Sequence, residues 1–301
     1  IAGDEVIVYD ARGKALGLAY VNPHSLIASR LLSHDTTSRL DLAFFSRRLS
    51  AALQLRKAWY AQDFYRLVFG ESDQLPGLVV DRYGAILVVQ LNSAGMERHK
   101  ATIVEALVAL CQPTGILIRA DSSMRVLEQL PLYVEVAFGD VPEVLTLEEN
   151  GVKFEVPLLK GQKTGWFYDQ RDNRALLQRF VKDKRVLDVC SYVGGFGVQA
   201  AVFGAASAHC VDASALAIEF VGKNAVLNDV GDKVTSEVGE AFDVLRAFKE
   251  KGRRFDVVVI DPPAFIKKRK DFNTGVQAYR RLNELALSVL AEGGVLVSAS
   301  C

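Results

Sequence analysis

The hydrophobic positions change rhythm about halfway along the chain. Up to about residue 157 they fall in short runs of the kind that build hairpins, and beyond it apolar strands alternate with helical stretches. Near the start, Val6-Ile-Val-Tyr9 reads as a strand, Ala11-Arg-Gly-Lys14 as a turn and Ala15 to Tyr20 as the returning strand. Leu26 to Leu32 alternates, with Ile27 and Leu31 against Ser29 and Arg30. Asp41 then opens a helix that runs to Tyr60, striped by Leu42, Phe45, Leu49, Ala52 and Leu53. Arg47, Arg48, Arg56 and Lys57 occupy its other faces, as a solvated surface or as phosphate contacts. Tyr65 to Leu147 reads as a small α+β unit. It holds a hairpin (Gly77 to Gly84 with Ala85 to Gln90), a helix from Glu97 to Leu110 and a strand from Gly115 to Arg119. A second hairpin joins Val144–Glu148 to Val152–Val156 through Asn150-Gly151, a dipeptide suited to the positive φ angles of a tight hairpin turn.

After Pro157 five strands are expected, at Arg185–Val189, Ser207–Asp212, Val234–Glu237, Val257–Asp261 and Val295–Ser298. Helices separate them: an apolar one to about Phe203, then Ser214–Leu227, Ala241–Lys251 and Ala278–Leu290. Alternation of this kind predicts a parallel, doubly wound α/β sheet, because parallel neighbours need crossover connections. Asp188, Asp212 and Asp261 all fall at strand C-termini, so strand order 3-2-1-4-5 is expected, reversing beside the first strand where such sheets bind ligands.

Composition narrows the partners. The 301 residues carry 36 basic and 36 acidic side chains, so nucleic-acid contact must rest on local patches and not on a global field. Cys111, Cys190, Cys210 and Cys301 show no C-x-x-C, and no H-x-E is present, which supports neither a disulfide framework nor a metal site. With no signal peptide and no apolar run of 18 residues, the chain reads as cytoplasmic and without a membrane partner. It starts at Ile1 without a methionine and stops just after an apolar strand. Residues beyond both ends are therefore expected.

The chemistry centres on Val186-Leu-Asp-Val-Cys-Ser-Tyr-Val-Gly-Gly-Phe-Gly197, a buried strand, a glycine-bearing turn and a helix start. Such a turn lets a backbone approach a ligand closely. From Cys190 the glycines fall as Gly-Gly-x-Gly, not G-x-G-x-x-G, and the loop has no basic residue. A nucleoside with an amino-acid tail fits better than a pyrophosphate. Asp212, 24 residues after Asp188, stands where an acid accepts ribose hydroxyls, and Glu240 where an adenine amine would lie. Asp261-Pro-Pro-Ala-Phe265 ends the fourth strand, and Lys267-Lys-Arg-Lys270 adds four positive charges for phosphate contact.

Together with Gly161-Gln-Lys-Thr-Gly-Trp-Phe-Tyr-Asp-Gln-Arg-Asp-Asn-Arg174, Gly70-Glu-Ser-Asp-Gln-Leu-Pro-Gly-Leu-Val-Val-Asp-Arg82 and Ser298-Ala-Ser-Cys301, these motifs resemble one family. It is the S-adenosylmethionine-dependent ribosomal RNA (cytosine-5) methyltransferases of large-subunit type that carry an N-terminal PUA domain. The resemblance implies a class I methyltransferase Rossmann-like sheet over residues 158–301, incomplete at its C-terminal edge. Ahead of it come a partial PUA-like barrel (1–40), a linker helix (41–61) and a small α+β domain (62–157). It implies S-adenosyl-L-methionine as cofactor, ribosomal RNA as partner, and leaves a homodimer open. Phe167, Asp169, Gln170 and Arg171 would cover the methionine end. Asp188, Cys190, Ser191, Tyr192, Gly194 and Gly195 would hold the amino-acid moiety, Asp212 the ribose, and Glu240, where the family has Asp, the adenine. Cys301 would be the nucleophile and Asp261 the acid at the base. An amino-group methyltransferase acting on guanine or adenine and a non-catalytic RNA-binding protein are the alternatives. Ala264, between the prolines and Phe265, weighs against the first.

Overall fold

The computed structural model of the chain describes residues 1–159, 161 and 164–300, so Lys160, Gln162, Lys163 and Cys301 lie outside it. Two compact units emerge. One takes Ile1–Leu147 and Pro157–Tyr168, and the other takes Glu148–Val156 and the chain from Asp169 onward.

In the first unit β1 (Glu5–Tyr9), β2 (Ala15–Val21) and β3 (Ser29–Ser33) form an antiparallel sheet in that order. The helix expected after it is α1 (Leu42–Trp59), capped by Asp41, whose carboxylate accepts from the Phe44 amide at 2.9 Å. Its buried face is Phe44, Phe45, Leu49, Ala52 and Leu53. Leu42, expected in the stripe, is exposed instead. A five-stranded sheet follows, from β4 (Phe64–Phe69), β5 (Leu78–Tyr83) and β6 (Ile86–Leu91), through α2 (Ala94–Arg98) and α3 (Lys100–Cys111), to β7 (Gly115–Ala120). After α4 (Ser123–Leu127), β8 (Tyr133–Gly139) closes the order β4-β5-β6-β7-β8, in which only β6 and β7 run parallel. The single helix expected over Glu97–Leu110 is thus two, broken at His99. Phe45, Leu49, Leu67, Leu87, Ile103 and Ile118 share one core.

The hairpin of β9 (Val144–Glu149) and β10 (Val152–Pro157) turns where expected, with φ of 56° at Asn150 and 77° at Gly151. Its end, Glu148–Val156, belongs to the second unit. After α5 (Arg171–Leu176) comes the alternation β11 (Arg185–Val189), α6 (Gly197–Val202), β12 (Ser207–Asp212), α7 (Ala215–Leu227) and β13 (Val234–Val238). It continues through α8 (Ala241–Glu250), β14 (Phe255–Ile260), α9 (Phe272–Ser288) and β15 (Leu290–Ser298). The sheet is parallel throughout, in the order β13-β12-β11-β14-β15, the 3-2-1-4-5 arrangement expected from the acids at the strand ends. Leu187, Val189, Val211, Val258 and Ile260 bury one face of it against Leu245, Leu282 and Ala286.

Two boundaries differ from expectation. Helix α9 begins at Phe272, not Ala278, and Leu290, expected inside it, opens β15. The early start turns on Gly275. A Cβ there would meet Ile266 at 2.4 Å and the Phe265 carbonyl at 3.0 Å, so a bare backbone lets the first helical turn lie against the loop after β14.

Candidate active site

Strand β11 ends at Val189 in a row shared by Val211, Ile260 and Ser298, its register partners along the sheet. The next position in each chain therefore rises above the same sheet edge. These are Cys190 after β11, Asp212 at the end of β12, and Asp261 after β14. The Asp261 amide donates back to the Val189 carbonyl at 3.3 Å, which keeps its residue beside the turn.

The turn is a wound stretch of backbone. Cys190 and Tyr192 take left-handed φ values of 63° and 50°, and Gly194 one of 87°. The Ser191 carbonyl accepts from Gly194 at 2.9 Å and Gly195 at 3.3 Å, while the Ser191 amide donates to Val211 at 3.0 Å. Asp212 supplies the remaining support. One carboxylate oxygen accepts from the Tyr192 amide at 2.8 Å and the other from Ser214 at 2.9 Å. The acid expected at a ribose thus also braces the loop that would carry the amino-acid tail.

Beneath the turn Asp188 is fully buried. Its Oδ2 accepts from Gly197 at 2.7 Å, but its Oδ1 has no partner, nor does the buried Ser191 hydroxyl. Burial pushes the Asp188 carboxyl up to about 7, against the pull of the Gly197 amide and with the help of Asp261 and Asp212. Burial likewise raises the Cys190 thiol to about 12, followed by the charges of Asp212, Asp188, Asp261 and Glu240. The ring of acids around Cys190 repels a pyrophosphate and suits a ligand bearing positive charge, such as a sulfonium with an ammonium group. The two orphaned buried oxygens are the acceptors and donor such a ligand would meet.

The other expected residues divide. Glu240 is exposed at the N-cap of α8 without a capping hydrogen bond. Asp169 is exposed, and Gln170 accepts from Asn173 at 2.8 Å. Arg171 lies 3.5 Å from buried Glu149, with Arg174 closer at 2.6 Å, so this arginine has a structural partner in the hairpin. Phe167 belongs to the first unit. Cys301 lies outside the described residues, and β15 ends at Ser298. The exposed Lys267–Lys270 run leads into α9 after the Asp-Pro-Pro loop, in which Phe265 packs on Tyr279 with ring centres 4.7 Å apart.

Sequence reading missed two positioning residues. Gly197 is the third glycine of the turn motif, and a Cβ on it would meet the Cys210 sulfur at 2.3 Å. Asn224 is a buried polar residue inside apolar α7 (Phe220, Val221, Ala225). It donates to Val193 at 3.0 Å and exchanges hydrogen bonds with the Glu155 backbone at 2.7 and 3.1 Å, tying turn to hairpin. An asparagine amid helical apolar residues was the available signal. Among the described residues no helix is long and apolar enough to cross a membrane, and no group of three His, Cys, Asp or Glu is placed to hold a metal ion.

Comparison with known proteins gives this geometry a family. Residues 128–301 match the sequence model described as S-adenosylmethionine-dependent methyltransferase, and residues 2–34 match that of a PUA-like domain. The chain is 39% identical over 305 aligned residues to ribosomal RNA large subunit methyltransferase I of Shigella boydii, covering 99% of itself and 77% of that protein. The Escherichia coli O139:H28 protein of the same name is 38% identical with the same coverage. Among solved structures, SMU.776 complexed with SAH superposes with a TM-score of 0.86 at 24% identity, over 99% of this chain and 77% of that one. Methanocaldococcus jannaschii Trm5 in complex with adenosine gives 0.54 at 22%, over 72% and 59%. At those identities the two structures speak for the fold. The sheet order, the acid-ringed turn and the relatives at nearly 40% identity agree, and the chain belongs to the S-adenosylmethionine-dependent methyltransferase family.

Proposed function

We propose that the protein methylates C5 of a cytosine in large-subunit ribosomal RNA, with S-adenosylmethionine as methyl donor. The ribosomal substrate follows from the names of the relatives. The C5 position is supported by Asp261, an acid that sits one strand from the turn, next in sequence to the register partner of Val189. Asp188, Cys190, Ser191, Tyr192, Gly194 and Gly195 would hold the donor's amino-acid end, Asp212 its ribose and Glu240 its adenine. Bound there, the donor supplies an electrophilic methyl group.

Cytosine C5 is too weak a nucleophile to take that methyl unaided. The thiolate of Cys301 adds to C6 while Asp261, as the acid at N3, gives the ring a proton, which it takes back when the aromatic ring is restored. The electron pair released to C5 makes that carbon nucleophilic enough to accept the methyl group that a bound donor would supply. Loss of the C5 proton then expels the Cys301 sulfur and restores the aromatic ring. Cys190 is unsuited to the role, since a thiol raised to about 12 holds almost no thiolate at neutral pH. A base within folded RNA must also be turned out of its stack to enter the site.

The test uses Cys301→Ala with deproteinised large-subunit ribosomal RNA. The variant should bind donor and RNA yet transfer no methyl group. RNA carrying 5-fluorocytosine should trap the wild-type protein as a covalent adduct, because fluorine cannot leave as the proton does. Methylation by Cys301→Ala at the wild-type rate would reject the C6-addition route and favour an exocyclic amine as acceptor.

A further inference from the structure

The first unit holds a second concave feature, remote in sequence from the donor turn. A cavity of about 440 Å3 opens between β3, α1 and the turn Gly70–Asp73, lined among others by Arg30, Ser33, His34, Arg48, Glu71 and Gln74. Two arginines set its charge. Arg48 donates to the Leu32 carbonyl at 3.2 Å and lies over the Phe44 ring, yet no carboxylate pairs with it among the described residues. Arg30 is mostly buried. One end of its guanidinium lies 3.5 Å from Glu128, the other 3.3 Å from Glu71, and its Nε–H is buried with no acceptor.

The two glutamates differ. Glu128 is 3% exposed and fixed by Asn22, Ser25 and the Ala94 amide, so it is part of the frame. Glu71 is 70% exposed and holds Arg30 by one long contact, the kind of ion pair that contributes little and is easily exchanged. Guanidinium forks bind phosphate oxygens with two parallel hydrogen bonds, a match that a single carboxylate oxygen does not provide.

We infer that this cavity docks a phosphodiester group of the RNA substrate, with Arg48 and Arg30 as its donors and Glu71 as the internal anion that the phosphate displaces. The inference rests on the ribosomal RNA reading above. It assigns opposite signs to two neighbouring side chains, since losing Arg48 weakens RNA binding and neutralising Glu71 strengthens it. It also fixes the salt dependence, because one phosphate contact carries about 0.7 to 0.9 of the slope of log K against log salt.

Filter binding of deproteinised large-subunit ribosomal RNA across a salt series tests this on the intact chain. Arg48→Gln should bind about tenfold more weakly with a slope shallower by about 0.7 to 0.9. Arg48→Lys should keep the slope, and Glu71→Gln should bind severalfold more tightly. Calorimetric affinity for S-adenosylhomocysteine should be the same in all four proteins, since the donor turn is untouched. Wild-type affinity and slope in Arg48→Gln, or no gain in Glu71→Gln, overturns the phosphate site alone. Failure of the wild-type protein to bind the RNA overturns the substrate reading and the site together.

Discussion

The Gly197 amide donates to the Asp188 carboxylate at 2.7 Å, and the Cys210 sulfur fills the space that any Cβ on Gly197 would need. Strand β11, strand β12 and the start of α6 meet at this point. Gly197→Ala should therefore cost about 1 to 3 kcal/mol, the usual penalty for forcing volume into a packed core. Adding Cys210→Ala should recover part of that loss, so the double mutant should be more stable than the two single changes sum to. Urea midpoints of the four proteins measure the coupling, and strict additivity would mean that the sulfur is not the obstacle.

Asp188 also gives the stability a pH signature. Its carboxyl is raised to about 7, above the ordinary range the unfolded chain would show. Between about pH 4 and 7 the folded protein keeps a proton that the unfolded one has lost, so this residue's share of stability falls as pH rises. The slope cannot exceed about 1.4 kcal/mol per pH unit, and it levels off above about 7. Asp188→Asn should remove this slope while keeping an acceptor for Gly197. Urea melts at pH 5, 6, 7 and 8 without donor should show wild type losing ground to the variant, and parallel curves would refute the shift.

Asp212→Ala should weaken S-adenosylhomocysteine binding by about 1.5 to 3 kcal/mol, the cost of losing a charged hydrogen-bond acceptor. It should also loosen the turn, because the Tyr192 and Ser214 amides both lose their acceptor. Calorimetry reads the first effect and amide exchange at Tyr192 the second. Unchanged affinity would remove Asp212 from the ribose contact.

Arg174 carries a different kind of load. It binds fully buried Glu149 at 2.6 and 3.0 Å, and Gln199 adds a bond at 3.1 Å. Arg174→Met should destabilise by up to about 3 to 5 kcal/mol, because it leaves the buried carboxylate with the longer Arg171 contact and Gln199. Pairing it with Glu149→Gln should restore most of the loss, as thermal melts can show.

The sequence was most readable where one periodicity ran unopposed. The strands of the donor sheet alternate with helices, of which α7 is capped by Ser214, accepting from Ala217 at 3.2 Å. Strand β8 escaped notice because its apolar residues point outward. Val134, Val136 and Phe138 are exposed, while Glu135 and Ala137 are half-buried, so alternation was present without its usual meaning. Strand β4 was masked in a similar way by Arg66, half-buried in its middle and ion-paired to Asp81 at 2.8 Å. Within the site, spacing pointed to the acids at the strand ends. It could not show that Arg171 lies beside Glu149 or that Asn224 holds the turn, because both depend on a hairpin 22 and 69 residues away.

That hairpin has a consequence for how the protein can be inherited. The second unit takes Glu148–Val156 from upstream of a stretch, Pro157–Tyr168, that belongs to the first. No single cut in the gene separates the two. A segment beginning after Tyr168 would encode the donor turn without Glu149 for Arg174 or the Glu155 backbone for Asn224. The family match begins at residue 128, ahead of the hairpin. A single exchange that moves the donor sheet together with its hairpin therefore also carries Pro157–Tyr168 of the first unit.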